Sequence, residues 1–460
     1  MNNHSLKMLS LLAGLAALGS LSAQAQDKAT LDLLVKKNVI TADEAATLAK
    51  TSAVSATAKD TANVKGIKIE GMVQSQFDSV STSDKGAGNF NPAAEDQFFI
   101  RRAYLGAVLD MGNGWGGEIL FDFAAGAQAP TGTQAGGGNA AQNLFEKLII
   151  TKKFDDFNGL ATVGYQKVHF MQEEFTSSAE VKTVERSMMS RYFDEAYTAN
   201  NNGRLGFANR HNGVFYDGKF QLGDDKKNNL IYGGAFTTGI QNSSGYTAVG
   251  GLDKFGAWLY AGYDNQSDEN LTYTVGINYG ISPDGNSVNG AAGVPAPGNQ
   301  ANTMWGYNPY LRLTWNKALQ IDAEFAQAFI DNGRFSALSG YSRAEPMGFT
   351  ITPSYKFTDE WELVLKYGIL NTDGRGTGIS SVVRNGNNVT TGGVLFNDAQ
   401  QFYVGVNWYI MKNAVKFMLG YEYSEFSNRS TSAIGAINTA NLTGPRAEVS
   451  AIRARMQLNF

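Results

Sequence analysis

The chain has 460 residues, a formal net charge of −4, 43% hydrophobic residues and no cysteine. So small a net charge, without basic blocks, argues against a nucleic-acid partner. The lack of cysteine excludes the disulfide framework on which small secreted domains depend, so the chain must fold through its own buried surface.

The N-terminal region predicts export. Residues 1–25 contain Lys7, an apolar run over about 8–21 and the small-residue motif Ala23-Gln24-Ala25. This order is typical of a secretory signal peptide cleaved after Ala25, and the run is short for a retained membrane anchor. Beyond residue 26 no apolar stretch approaches the roughly 18 residues of a membrane helix.

Residues 26–65 predict a periplasmic helical segment followed by a linker. Leu31, Leu34 and Val35 form an apolar stripe on a first short helix, and Thr41-x-x-Glu44 is a capping box that opens a second. Two interpretations stay open for this segment. It is either a tethered helical hairpin or a device that helps chains associate.

From Ile67 onward the hydrophobic pattern has a period of two, which indicates β-strands with one apolar face. Each segment has about the nine to eleven residues that cross a bilayer as a tilted strand. About sixteen segments alternate in this way: 67–77, 98–109, 115–123, 144–153, 160–167, 213–222, 229–237, 254–263, 271–279, 305–315, 319–329, 347–357, 361–369, 401–410, 414–425 and 449–460.

The connections between these segments are alternately short, such as NKA and TDE, and long, such as 168–212. Short periplasmic turns and long extracellular loops are the pattern of an outer-membrane barrel, and an even strand number lets the sheet close. We therefore predict an all-β fold: a transmembrane antiparallel β-barrel of about 16 strands at 66–460, preceded by a short periplasmic helical segment.

The aromatic residues are consistent with this topology. Trp115, Trp315, Trp361 and Trp408 fall near the short-turn ends of their strands on the apolar face, and Phe460 ends the chain at the same level. Such a band of rings predicts a membrane-interface girdle. The barrel would then have lipid outside and water inside.

Three stretches resemble a known family: DQFFIRRAYLGAVLDMGNGWGGEILFDF, ATVGYQKVHFMQEEF and ERSMMSRYF. The IRRAYLG core at 100–106 and VGYQKVHF at 163–170 carry most of the likeness to the phosphate-selective porin O and P family of Gram-negative outer membranes. Members usually have proline at the position of His169. The resemblance implies a sixteen-stranded barrel, usually a homotrimer, with loops folded into the lumen. It also implies that the barrel-assembly machinery recognises the C-terminal strand.

Inward-facing charges would set the selectivity of such a channel. The candidates for lining the pore are Arg102, Arg312, Lys366, Lys416, Arg453 and Arg455, but the same faces carry nearly as many carboxylates. These cations either line the path or are held by neighbouring acids on the wall. Arg101 and Arg102 cannot both be luminal in a regular strand, so one of them is expected at the rim.

The longest connection, 168–212, is the best candidate for an inward-folded loop. Its constriction candidates are Lys182, Arg186, Arg191 and Arg204, interspersed with acidic residues. A basic filter and a self-paired, rigid loop are both compatible with this composition.

Enzymatic signals are weak. GNGWGG at 112–117 matches G-x-G-x-x-G, but a turn precedes a strand there, whereas a dinucleotide fold needs a strand and then a helix. After cleavage only His169 and His211 remain, too few and isolated for a metal centre. We expect no enzyme activity, no metal and no cofactor.

The sequence thus predicts a passive porin for small anionic or polar solutes, in contact with outer-membrane lipid. The resemblance implies an anion preference, with phosphate or polyphosphate as the solute. A general or carbohydrate porin is the alternative, because the inward charges nearly balance. An outer-membrane enzyme or an adhesin is a more distant one.

Overall fold

The structure is a computed structural model that describes residues 64–85, 94–124, 145–154, 158–194, 205–208, 210–223, 227–238, 255–266, 268, 270–284, 302–331, 343–373, 379–380, 395–430 and 446–460. The signal peptide predicted at 1–25 and almost all of the helical segment and linker predicted at 26–65 lie outside this part of the chain. Within it, no helix is both long and apolar enough to cross a bilayer.

Most of the described chain is strand. Two short helices, α1 (Gln172–Phe175) and α2 (Met188–Asp194), lie between β5 and β6. The strands are β1 (Gly66–Lys85), β2 (Ala94–Gly112), β3 (Trp115–Asp122), β4 (Phe145–Phe154), β5 (Gly159–Lys167), β6 (Arg210–Leu222), β7 (Asn228–Thr238), β8 (Phe255–Asn265), β9 (Leu271–Asp284), β10 (Asn302–Trp315), β11 (Leu319–Asp331), β12 (Arg343–Ala344), β13 (Met347–Lys356), β14 (Trp361–Asn371), β15 (Ile379–Ser380), β16 (Leu395–Asn413), β17 (Val415–Ser430) and β18 (Arg446–Asn459).

These strands form one closed sheet. Strands consecutive in the chain pair, and β1 also pairs with β18, with Met72 opposite Asn459 and Lys85 opposite Arg446. Of the eighteen strands in the sheet, β12 and β15 have two residues each and only extend the pairing of β11 and β16, so sixteen strands make the wall. Because the sheet closes, it has no edge strand whose backbone N–H and C=O groups would face lipid without hydrogen-bond partners.

The wall has an apolar outer face and a polar inner face, as the alternation predicts. On β18 the side chains of Ile452 and Leu458 are about half exposed, whereas Arg453, Arg455 and Gln457 are buried. The exposed set faces lipid and the buried set faces the lumen. The predicted all-β barrel of about sixteen strands is thereby confirmed.

Several strands are longer than predicted at the ends that lead into long loops. β1 continues to Lys85, β16 begins at Leu395 and β17 continues to Ser430, each several residues beyond the alternating segment. Backbone pairing continues outside the apolar band of the membrane, but there the outer face no longer needs apolar side chains. The hydrophobic period therefore stops before the strand does.

Candidate functional site

The connection between β5 and β6 folds into the barrel. Its described part, residues 168–194 and 205–208, is referred to below as the inner loop. All seven residues of α2 are buried, and the loop bonds to inward-facing side chains of β1, β2, β10, β11, β13, β14 and β16–β18, as the following contacts show. The inner loop thus occupies lumen space, and its contacts determine where solute can pass.

An aromatic cluster holds the inner loop from one side. The Phe170 and Phe207 rings pack edge to face with centres 4.9 Å apart, and the Phe207 ring lies 5.0 Å from that of Trp258 on β8. All three rings are fully buried, and Trp258 Nε1 donates a hydrogen bond of 3.0 Å to Thr237 Oγ1. Buried rings contribute large apolar areas, so this cluster stabilises the loop without an unsatisfied polar atom.

Side chains of β10 and β11 fix the start of α1. Met171 has φ = 60°, in the left-handed region that non-glycine residues seldom adopt, and its N–H donates to Asn308 Oδ1 at 3.0 Å. The N–H groups of Gln172 and Glu173 donate to the Glu324 carboxylate at 2.7 and 3.2 Å. The strain at Met171, on the order of 1–3 kcal/mol for such a residue, is offset by these bonds to the orphan amides of α1.

Glu185 of the inner loop joins the loop to three strands, since Gln76 Nε2 on β1 also donates to its carboxylate at 3.2 Å. Its carboxylate accepts from Arg101 Nε at 2.7 Å and from Arg101 Nη2 at 3.1 Å, a bidentate pair. Arg455 Nη2 on β18 donates to the same carboxylate at 3.0 Å, and Arg455 Nε donates to Gln76 Oε1 at 2.8 Å. One buried carboxylate therefore pairs with two arginines that would otherwise face the lumen, and it offsets one of their two charges.

Both arginines of the Arg101–Arg102 pair point inward, so the expectation that one lies at the rim is wrong. Arg102 Nη1 donates to Gln74 Oε1 at 2.9 Å while Arg101 bonds Glu185. Phe98, at an even-numbered position like Arg102, is instead exposed on the outer face. The two faces of β2 therefore exchange between these positions, which is the effect of an extra residue in a strand.

Three lysines also hold the inner loop to the wall. Lys366 on β14 forms an ion pair with Glu173 and donates to Thr183 Oγ1 at 2.8 Å. Lys416 on β17 donates to the carbonyl of Ala179 at 2.9 Å. Lys182, a loop residue, donates to Glu362 Oε1 at 2.6 Å and to Ser354 Oγ at 2.7 Å. Lys366 and Lys416 are buried, so these predicted pore-lining cations act as loop anchors in this structure.

Arg453 is held within the wall. Its guanidinium pairs with Asp78 on β1 and, at 3.3 Å, with Glu422 on β17, and its side chain has no exposed area. A guanidinium so placed contributes its charge to the wall and is not accessible to a passing ion. The same applies to Arg455, of which 2% is exposed.

The four predicted constriction cations differ in their surroundings. Arg186 pairs with Glu174 at 3.0 Å and donates to the carbonyl of Thr176 at 2.8 Å. Burial raises the pKa of a carboxyl, but Arg186 and Lys167 hold the pKa of Glu174 at about 2. Lys182 is the anchor described above, Arg191 is buried in α2, and Arg204 lies outside the described residues. Where it is described, this loop matches the self-paired alternative.

The opposite wall, β3–β11, carries cations that keep solvent access. Lys147, Lys219 and Arg312 have side chains 35%, 45% and 38% exposed. Each lies beside a carboxylate of a nearby strand: Lys147 is 3.0 Å from Glu118, Lys219 is 3.9 Å from Asp264, and Arg312 Nε is 2.5 Å from Asp322 Oδ1. Of the predicted pore-lining set, Arg312 is the member that the structure leaves half-exposed.

Some residues of the site were absent from the sequence prediction. Asp78, the partner of Arg453, follows directly after the predicted end of the first segment. Lys147 could have been found from the alternation of β4. Leu148 and Ile150 face outward, so Lys147, which directly precedes Leu148, must face inward. The role of Glu185 gave no local signal, since its partners are distant in sequence.

The predicted girdle residues lie on the outer face beside the short turns. Trp361 and Trp408 are paired across β14 and β16, and their rings stack with centres 5.4 Å apart and planes 3° apart. Lys152 lies 5.3 Å above the Trp115 ring, and Trp315 is half exposed. The Phe460 N–H donates to Gly71 O at 3.0 Å, and its ring occupies the space that a Cβ at residue 71 would need.

Neither histidine lies in a metal site. His169 Nε2 is 3.1 Å from Asp217 Oδ1, and its ring stacks on Tyr260 at 3.9 Å. His211 Nδ1 is 3.1 Å from the carbonyl of Thr238. Among the described residues no group of three or more His, Asp or Glu is arranged to hold a metal ion.

Comparison with known proteins gives a family and several similar folds. No curated protein matches the chain. One solved structure with a similar fold is an anion-selective porin from Comamonas acidovorans, with 12% identity, 86% of this chain and 99% of that chain covered, and a TM-score of 0.49. A second is the outer-membrane channel DcaP of Acinetobacter baumannii, with 12% identity, 86% of this chain and 97% of that chain covered, and a TM-score of 0.47. A third is the trimer form of OmpT from Vibrio cholerae, with 12% identity, 85% of this chain and 99% of that chain covered, and a TM-score of 0.45.

The family model described as phosphate-selective porin O and P matches residues 67–460. This range includes the whole closed wall beyond the first residue of β1, the inner loop and the C-terminal strand. The protein is therefore an outer-membrane porin that belongs to the phosphate-selective porin O and P family.

Proposed function

We propose that small solutes diffuse passively between the inner loop and the β3–β11 wall, with a preference for anions. The observation that carries this proposal is the distribution of exposed cations. Lys147, Lys219 and Arg312 keep about two fifths of their side-chain surface accessible, whereas Arg453 and Arg455 keep almost none. Accessible cations attract anions to a narrow path, and buried paired cations do so far less.

Phosphate or polyphosphate is the proposed solute. The support for it is the description of the family to which the chain belongs, together with the arginine among the exposed cations. A guanidinium presents several donors to the oxygens of a phosphate group. We propose a porin without enzymatic activity, in line with the family to which the chain belongs.

Reconstitution in a planar bilayer tests the proposal. We expect a reversal potential across a KCl gradient that reports chloride preference, and a conductance that added phosphate reduces. A cation-selective potential would contradict the anion preference. The absence of any conductance from a folded, heat-modifiable barrel would contradict the channel function itself.

A general or carbohydrate porin is a second candidate, because the exposed cations Lys147, Lys219 and Arg312 of the β3–β11 wall each have a carboxylate beside them. Glu118, Asp264 and Asp322 reduce the net field of Lys147, Lys219 and Arg312. Liposome swelling separates the two candidates. Equal swelling rates for a neutral sugar and a phosphate ester of similar size would favour the general porin.

We further propose that the protein is a homotrimer, that cleavage after Ala25 releases a mature chain with an N-terminal periplasmic helical segment at 26–65, and that the assembly machinery recognises the C-terminal strand. The alternating outer face of β18, which ends in exposed Phe460, supports the last point. Chemical cross-linking of the native protein tests the homotrimer, and N-terminal sequencing of the native protein tests the cleavage site. Deleting Phe460 should reduce the amount of folded barrel in the membrane.

A further inference from the structure

A cavity of about 270 Å³ lies between the inner loop and the strands β10, β11 and β13. Its lining includes Thr176 and Glu180 of the loop, Arg312 and Asp322 of the wall, and Thr350 of β13. Since a water molecule takes about 30 Å³ in the liquid, this volume holds on the order of nine waters, or one small solute. The cavity lies at the level of the path proposed above.

Most charged groups of the cavity already have their partners. Lys182 donates to Glu362 and Ser354, Glu173 pairs with Lys366, and Glu324 accepts from the amides of α1. Lys182 and Glu173 are paired with opposite charges, and the Glu324 carboxylate is hydrogen-bonded by neutral amides. They shape the cavity but have little capacity left for a ligand.

Arg312, Glu180 and Thr350 of the lining retain bonding capacity, beside the neutral side chains of Gln172 and Thr352. Arg312 uses Nε for Asp322 and Nη2 for a 3.4 Å contact with Thr176, and a guanidinium has five N–H donors. Glu180 is exposed and has no ion pair within the described part of the chain. Thr350 is 97% buried, and its Oγ1 has no hydrogen-bond partner among the described residues. A buried hydroxyl without a partner is unusual in a folded protein, and here it belongs to a residue that lines a cavity.

The charged groups with remaining capacity are one cation and one carboxylate, and the hydroxyl of Thr350 lies in the same lining. A simple anion would meet Glu180 and Asp322 as well as Arg312, and a simple cation would meet Arg312. A ligand that carries one negative and one positive charge can pair with Arg312 and with Glu180 at the same time. We infer that this cavity is a binding subsite for a small zwitterion of amino-acid size, with its carboxylate at Arg312 and Thr350 and its ammonium group at Glu180.

This inference rests on the proposed channel function, and the experiment separates the two. Serine, serinamide and N-acetylserine have similar sizes and present both charges, the cation alone and the anion alone. Each is added to single channels of the full-length protein, and the concentration that halves the current is measured. We expect serine to block at a concentration about tenfold below either relative, as loss of one charge-assisted bond implies.

The variants R312Q and E180Q should each raise the half-blocking concentration of serine about tenfold, and T350V should raise it less. R446Q and E345Q, which alter exposed charges outside the cavity, should leave it unchanged. E180Q changes an exposed residue, so it keeps the test usable should R312Q fail to fold. Normal ion conductance with equal block by all three compounds, or stronger block by N-acetylserine, would overturn the subsite. Loss of all conductance would instead overturn the channel.

Discussion

Two regions of the barrel wall use the same residue types in different ways. On β14–β18 the inward cations Lys366, Lys416, Arg453 and Arg455 are buried and bonded to acids or loop carbonyls. On β3–β11 the cations Lys147, Lys219 and Arg312 keep 35%, 45% and 38% of their side-chain surface accessible, whereas Lys167 and Arg210 are paired with acids and mostly buried. The inner loop contributes to this difference, because Lys366, Lys416 and Arg455 bond to it, although it also bonds to Asn308 and Glu324 of β10 and β11.

This contrast shows that an inward-facing cation is not necessarily a pore-lining one. A buried ion pair adds little net stability but is costly to break, since the remaining charge loses both its partner and its water. An exposed pair is weakly coupled and can exchange its partner for a passing ion. We therefore expect changes on the β14–β18 wall to affect folding and loop position, and changes on the β3–β11 wall to affect selectivity.

The largest effect is expected from Arg453→Met. It would leave the carboxylates of Asp78 and Glu422 buried without their cation, at a cost of about 3–5 kcal/mol for breaking a buried pair. Heat-modifiable gel mobility should show a large loss of folded barrel. Simultaneous replacement of Asp78 by Asn and Glu422 by Gln should restore part of it. Unchanged stability of the single variant would contradict the anchoring role.

Glu185→Ala should have the next largest effect. Arg101 and Arg455 would then face the lumen without their shared carboxylate, so the inner loop would lose a connection to both β2 and β18. We expect a higher and less stable single-channel conductance, together with increased chloride preference. Glu345→Gln, an exposed carboxylate outside the barrel lumen, is the control. A variant with native conductance and native selectivity would show that the loop is held without this carboxylate.

The stability of the inner loop should depend on pH through Asp194. Burial, and then the nearby Glu174 carboxylate, raises the pKa of Asp194 well above its ordinary value. A group with a raised pKa gives its full stabilisation below the pKa of the unfolded chain and loses it as pH rises through the folded value. Asp194→Asn should therefore flatten the decline in thermal stability above about pH 4, the ordinary range of an aspartate. Asp268→Asn, on an exposed turn, should leave that slope unchanged.

The smallest effect is expected on the outer face of the barrel. Changes there should not affect the contacts that either wall makes in the lumen. Trp361→Ala removes one ring of the stacked pair with Trp408, worth about 0.5–1.5 kcal/mol beyond its buried area. We expect a modest decrease in the temperature of heat modification with native conductance and selectivity. A change in selectivity would mean that the outer face and the lumen are coupled.

The fold could be predicted almost entirely from the sequence, because lipid on one side and water on the other impose a period of two on every strand. The limits of β3 and β5 follow the predicted segments within one residue, while β16 begins six residues earlier than predicted. That extra length lies outside the apolar band, where pairing continues but the hydrophobic signal does not.

The site was less predictable, for a reason that concerns distance along the chain. Alternation places Arg455 on the inner face, but it cannot show that Glu185, 270 positions away, lies against it. Nor could a regular strand place Arg101 and Arg102 on one face. The face to which a side chain points follows from its neighbours in the same strand. Whether the inner loop covers that side chain depends on residues far away in the sequence.

The reversal potential of a triple variant tests the central claim most directly. Lys147→Gln, Lys219→Gln and Arg312→Gln together remove three exposed cations of the β3–β11 wall and leave the loop contacts of Lys366, Lys416 and Glu185 unchanged. In a KCl gradient we predict chloride preference for the native protein, and its loss or reversal in the folded triple variant. Chloride preference retained by the triple variant but lost in Lys366→Met would contradict the account and assign the anion path to the β14–β18 wall.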